Sequence, residues 1–225
     1  MLDGSIGLKA LEIVTTNVVV VAKAHNPTIL SPAFLREERI VPSDWQPVDA
    51  QVITTLPIAK VPYTNGIELL VQPNRLQVLD HLIPPNEVEA TPIPGIAKRF
   101  VETLKHVPYT SVGINFTGLI PMDAPEKFLI GRFLKDGPWN ADDLIPKAVD
   151  FQFLYEHQVG RMKFSIAPGM VQRNADTELR GLIVEVNVHN DFPEDGRTQS
   201  ALQCIGRYDE CLKAVRQVGA QIIES

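Results

Sequence analysis

The densest grouping of chemistry-bearing side chains is one octapeptide, Val184-Glu185-Val186-Asn187-Val188-His189-Asn190-Asp191. Successive side chains of an extended strand alternate between faces. The three valines therefore point one way, and Glu185, Asn187, His189 and Asp191 point the other. A row of carboxylate, amide, imidazole and carboxylate offers the oxygen and nitrogen donors that hold a divalent metal, or the groups that exchange protons as general acid and base. A metal-dependent hydrolase or nuclease would take its catalytic and metal-binding groups from Glu185, His189 and Asp191. A further acid, Asp150 or Glu156, would enter from a neighbouring strand. The same alternation marks the wet side of any antiparallel sheet covered on one face only. The octapeptide thus singles out a candidate face without naming a reaction.

The other candidates are dispersed. His25 follows a valine-rich run and could sit at a pocket mouth, although His25-Asn26-Pro27 also reads as simple turn chemistry. Glu156 and His157 are adjacent only in sequence, because neighbours on a strand face opposite sides. His81 and His106 end their elements, where a cation near a helix C-terminus suits His106. Arg161, Lys163 and Arg173 could line a basic strip, diluted by Gln152, Leu154 and Glu156 on the facing strand. No glycine-rich phosphate loop, Gly-x-Ser-x-Gly elbow, His-Glu-x-x-His or Cys-x-x-Cys occurs. No cofactor is predicted. Cys204 and Cys211 fall in one predicted helix about 10 Å apart, too far for a bridge within the chain.

Those residues have to be held by a frame, and the composition permits one. Hydrophobic residues are 44% and charged ones 21% of 225, enough for a buried core without disulfides. A net charge of −6 disfavours a general phosphate-binding surface, so nucleic acid is an unlikely partner. No charged-then-apolar leader is evident, and the apolar run from 18 to 22 is far shorter than the roughly 20 residues of a membrane span. With no disulfide framework, the expected location is cytoplasmic.

Strands are expected over 12–24, 51–61, 67–79, 109–120, 148–158, 161–171 and 181–189. Their signals are β-branched runs, the Asn65-Gly66 hairpin signal, an interruption at Pro73-Asn74, and the alternation of Phe151, Phe153 and Tyr155. The unbroken Val18–Val21 run suggests a strand covered on both faces. Pro57 suggests an edge or a bulge. Short helices are expected after a Ser31 cap with Pro32 at the first position, over 96–107, and over 125–134. The loop 83–94 carries Pro84, Pro85, Pro92 and Pro94, and 173–176 reads as a polar turn.

The most regular feature is a C-terminal helix over 198–223. Its apolar stripe, Ala201, Ile205, Tyr208, Leu212, Val215, Gly219 and Ile222, keeps a four–three spacing. A face this wide suits packing on the chain's own sheet, with one end left for a neighbouring subunit. Tyr208, Leu212, Val215 and Ile222 are the candidate interaction residues.

The fold expected is α+β: one domain over 1–225, an antiparallel sheet with helices packed on one face, and two βββα-like halves, 1–108 and 109–225. Function stays open between two classes. The first is a non-enzymatic protein-binding or assembly module, a partner or a second copy engaging an edge strand or the terminal helix. The alternative is the metal-dependent hydrolase or nuclease on the Glu185/His189/Asp191 face.

Overall fold

The β-branched run becomes β1 (Glu12–Ala22), which lies inside the sheet with neighbours on both sides. The computed structural model describes residues 11–83, 87–140, 146–174, 177–193 and 197–224. Pro84, Pro85, residues 175–176 of the 173–176 turn, and the Arg173 side chain lie outside the described residues. Among the described residues eight further strands follow β1: β2 (Ile53–Thr54), β3 (Ala59–Pro62), β4 (Ile67–Gln72), β5 (Arg75–Asp80), β6 (Tyr109–Pro121), β7 (Phe151–His157), β8 (Gly160–Asn174) and β9 (Thr177–Asp191). Together they make one antiparallel sheet in the order β2-β3-β4-β5-β1-β6-β9-β8-β7. The helices α1 (Pro32–Glu37), α2 (Ile93–Thr103), α3 (Pro125–Phe133), α4 (Arg197–Gly206) and α5 (Tyr208–Glu224) pack on one of its faces. The α+β class with an antiparallel sheet is as the sequence implied.

The strand order has a simple logic. β1 and β6 open the segments before and after residue 108, and they pair with each other, Asn17 directly opposite Asn115. Outward from that pair each arm runs backwards through its own strands: β5, β4, β3 and β2 on one side, β9, β8 and β7 on the other. The sequence undercounts the first arm because prolines divide two expected strands. Pro73 lacks an N–H and turns 67–79 into β4 and β5. Pro57 sits in the turn between β2 and β3, where Thr55 N–H donates to the Ile58 carbonyl at 2.9 Å.

Local chemistry accounts for the joints. The Ser31 hydroxyl accepts from Phe34 N–H at 3.1 Å and caps α1, with Pro32 at its first position. Gly66, at φ +88°, closes the β3–β4 hairpin in the left-handed region that a side chain rarely enters. Gly181 serves packing: a Cβ there would collide with the Ile120 carbonyl on β6, so only glycine lets β9 approach.

The C-terminal helix is not continuous. Arg207 interrupts it between α4 and α5, after Gly206, a poor helix former. The interruption is tied down. Arg207 N–H donates to the Cys204 carbonyl at 3.1 Å, and its guanidinium donates to Glu210 at 3.0 Å and to the Gln158 carbonyl at 2.6 Å in the β7–β8 turn. The stripe survives because both pieces lay their apolar side on the same sheet face. Ala201, Ile205, Tyr208, Leu212, Val215 and Ile222 are all buried.

The core lies between that face and the helices. Val18 and Val20 of β1, Val112, Ile114 and Phe116 of β6, and Val184, Val186 and Val188 of β9 meet Ile96, Phe100 and Val101 of α2 and the α4–α5 stripe. The expectation that β1 is covered on both faces needs correction. Val18 and Val20 are fully buried, whereas Val19 and Val21 face the other side and are only half-buried. Flanking strands shield them, and no helix does so among the described residues.

Candidate functional site

The octapeptide forms the end of β9, and its alternation is as the sequence implies: Val184, Val186 and Val188 are buried under the helices. Glu185, Asn187, His189 and Asp191 lie on the helix-free face, Glu185 and Asp191 exposed and the other two half-buried. His189 Nε2 stands 2.9 Å from Asp191 Oδ1, and the Arg161 guanidinium lies 3.7 Å from the second carboxylate oxygen.

A strand advances about 3.3 Å per residue, so Glu185 and Asp191 are roughly 20 Å apart along β9 and cannot grip one ion. Help would have to come sideways, and the neighbours supply none. Beside Glu185 stand Thr117 and Ser165. Beside His189 stand Gly113 and Arg161, and beside Asp191 on β6 stands Ser111. Arg161 places a cation where a metal would sit. Of the two further acids considered, Glu156 lies beyond Arg161 on β7, and Asp150 precedes that strand. Among the described residues no three His, Cys, Asp or Glu side chains come together as a metal cluster. Arg161 and Lys163 project from the same face on β8, alongside Gln152, Leu154 and Glu156 of β7.

Sequence reading missed what the register assembles in the middle of this face. Asn17, Asn115 and Asn187 stand directly opposite one another on β1, β6 and β9. Asn187 Nδ2 donates to Asn115 Oδ1 at 2.6 Å. Asn17 Oδ1 is shut off from solvent and accepts no hydrogen bond. An amide neither titrates nor attacks; it donates and accepts hydrogen bonds. Half-buried apolar side chains border this row: Val19 and Val21 on β1, Leu79 on β5 and Leu70 on β4. The one local signal was a lone asparagine inside each of two valine- and isoleucine-rich runs. Nothing in the sequence says that the runs are neighbours.

The remaining candidates find structural places. Asn26 Oδ1 accepts from Thr28 N–H at 3.1 Å and from the Thr28 hydroxyl at 2.8 Å, the Asn-Pro turn chemistry. His25 is buried against the Tyr109 ring, at 5.9 Å between centroids, and its Nε2 has no partner. Burial holds its pKa below the ordinary 6.5, against a smaller upward pull from its bond to the Val20 backbone. The unfolded chain takes up a proton that the folded ring resists. The folding stability associated with His25 is therefore whole above about pH 6.5 and declines as the pH falls below it. Urea midpoints measured at about pH 7.5 and about pH 5.5 should fall for the wild type. The His25→Leu variant should lose a clear part of that fall.

The four candidate interaction residues are core residues. Tyr208, Leu212, Val215 and Ile222 are at most 9% exposed, and the Tyr208 hydroxyl lies 2.7 Å from that of Thr16. The end of α5 does reach a surface: Val218 and Ile222 border a groove of about 470 Å³ with Phe133, Phe153 and Tyr155, beside β7. Burial drives the thiol pKa of Cys211 up to about 12, and that of Cys204 upward as well, which leaves neither as a nucleophile. Among the described residues no helix is long and apolar enough to cross a membrane.

No protein-family model matches the chain. No curated protein matches it either.

Proposed function

We propose that the chain is a non-enzymatic protein-binding or assembly module of the cytoplasm that takes a protein partner on the helix-free face of its sheet. The observation supporting this is the Asn17–Asn115–Asn187 row, bordered by half-buried Val19, Val21, Leu70 and Leu79. Amide donors and acceptors among apolar side chains are what a polypeptide surface recognises by hydrogen bonding and burial.

The test is affinity capture with the tagged chain from the cells that make it, run beside the double variant Leu79→Glu/Asn187→Ala. Circular dichroism confirms that both are folded. The reading expects a stoichiometric protein partner held by the wild type and bound at least about tenfold less by the variant, roughly 1.4 kcal/mol. A partner held equally by both proteins, or none held by either, overturns it.

A further inference from the structure

The two ends of the sheet are unlike. β2, at one edge, is two residues long and runs straight into Leu56-Pro57, a short and proline-stopped margin of the kind that discourages strand addition. At the other edge β7 runs for seven residues, Phe-Gln-Phe-Leu-Tyr-Glu-His, with no proline, glycine, lysine or arginine. All seven pair with β8 in one unbroken register, so no bulge twists the edge away. Among the described residues no strand lies on its outer side.

Both faces of this edge carry apolar surface. On the helix-free face Leu154 is 64% exposed. On the helix side Phe151, Phe153 and Tyr155 stack in a ladder at 6.4 Å spacings. Phe133 lies 5.0 Å from the first ring and 5.7 Å from the second. The groove bordered by Phe133, Val218 and Ile222 opens beside this ladder. An unguarded edge with apolar groups on both faces is a template for another strand.

We propose that the added strand is β7 of a second copy, paired antiparallel about a two-fold axis at Leu154. This register uses all seven residues and is self-complementary. Leu154 faces its own equivalent, Gln152 faces Glu156, Phe153 faces Tyr155, and Phe151 faces His157. Aromatic meets aromatic, amide meets carboxylate, and no like charges oppose. The paired edge is about 20 Å long from Phe151 to His157 at the usual rise per residue. The axis runs perpendicular to the joined sheet, so both helix layers lie on the same side and the two grooves adjoin across the seam. The contact is separate from the amide row: either surface can fail while the other stands.

The test is sedimentation velocity on the full chain across its soluble concentration range. The wild type should form a dimer, and Leu154→Lys, which sets two ammonium groups against each other at the axis, should associate at least about tenfold more weakly. Leu154 is exposed, so the variant should remain folded. An independent readout is Leu154→Cys under mild oxidation. It should give a disulfide-linked dimer, because directly opposed residues stand about 4.5–5.5 Å apart, within disulfide range. Gln152→Cys alone should not cross-link, its equivalents being offset by four residues. A monomeric wild type overturns the proposal. So does a dimer that tolerates Leu154→Lys while Leu154→Cys fails to cross-link. The Leu79→Glu/Asn187→Ala variant should dimerise as the wild type does, which separates failure here from failure of the helix-free-face reading.

Discussion

Phe116→Ala lowers the free energy of unfolding by about 3–5 kcal/mol, the usual cost of truncating a buried phenylalanine. Phe116 is 1% exposed at the centre of β6, opposite Thr16 on β1 and Val186 on β9. Its ring lies 5.4 Å from that of Tyr208 at 51°, so it is the point where the start of α5 sits on the junction of the two arms. Truncation leaves a cavity beneath Tyr208 and withdraws support from a residue whose hydroxyl bonds Thr16 at 2.7 Å. Strand pairing on either side resists collapse into the gap, which places the cost in the upper part of the range. Urea unfolding measures it, with Leu56→Ala, at an exposed turn position away from both proposed surfaces, as a control expected within about 0.5 kcal/mol of wild type. A loss below about 1 kcal/mol for Phe116→Ala would mean that α5 does not pack there.

Asp80→Ala should cost about 2–4 kcal/mol, because two groups lose their acceptor at once. Asp80 ends β5 and is 1% exposed. One carboxylate oxygen accepts from Leu82 N–H at 2.8 Å, and the other accepts from the Thr91 hydroxyl at 2.6 Å. The first bond also holds an unfavourable conformation, since Leu82 sits at φ +46°, a left-handed geometry that its side chain disfavours. Alanine leaves a strained turn without its clamp and Thr91 without its acceptor. Asp80→Asn keeps an acceptor for Leu82 N–H and should recover about half of the loss. Thermal or urea unfolding of the pair separates the clamp from the bulk of the side chain. Equal losses for alanine and asparagine would assign the effect to charge alone.

Why these two residues matter was only partly visible in the sequence. Phe116 falls within the expected strand 109–120, and the alternation that buries it is a period-two pattern any strand shows. That Tyr208 would lie across it needed the fold, because 92 residues separate them. Asp80 gave no signal at all: an acid at the end of an apolar run reads as a solvated terminus, and only the Leu82 conformation explains it. Pro73 was legible as an interruption and Pro57 only as an edge or a bulge, and the outcome of both as tight reversals depended on which flanking residues found partners. The helix break at Arg207 was hidden because the four–three stripe runs through it undisturbed.

The candidate face shows the same division. Alternation in 184–191 correctly separated the buried valines from Glu185, Asn187, His189 and Asp191, since that separation is a property of one strand. Whether those groups converge is a property of the neighbours. Register brings Asn17 and Asn115 beside Asn187, and Arg161 rather than an acid beside His189. The residues picked for chemistry are strung along one strand, and those gathered across three strands are amides that a search for titratable groups passes over.

Lysine reactivity tests the central claim, that this face is a protein-binding surface, most directly. Lys163 is exposed on the face next to Asn187, whereas Lys213 is exposed on the helix layer. Acetylation of the wild-type chain, free and in complex with its captured partner, should slow at Lys163 by at least about tenfold in the complex and leave Lys213 unchanged. Unchanged Lys163 with a protected Lys213 would put the partner on the helices and contradict the account.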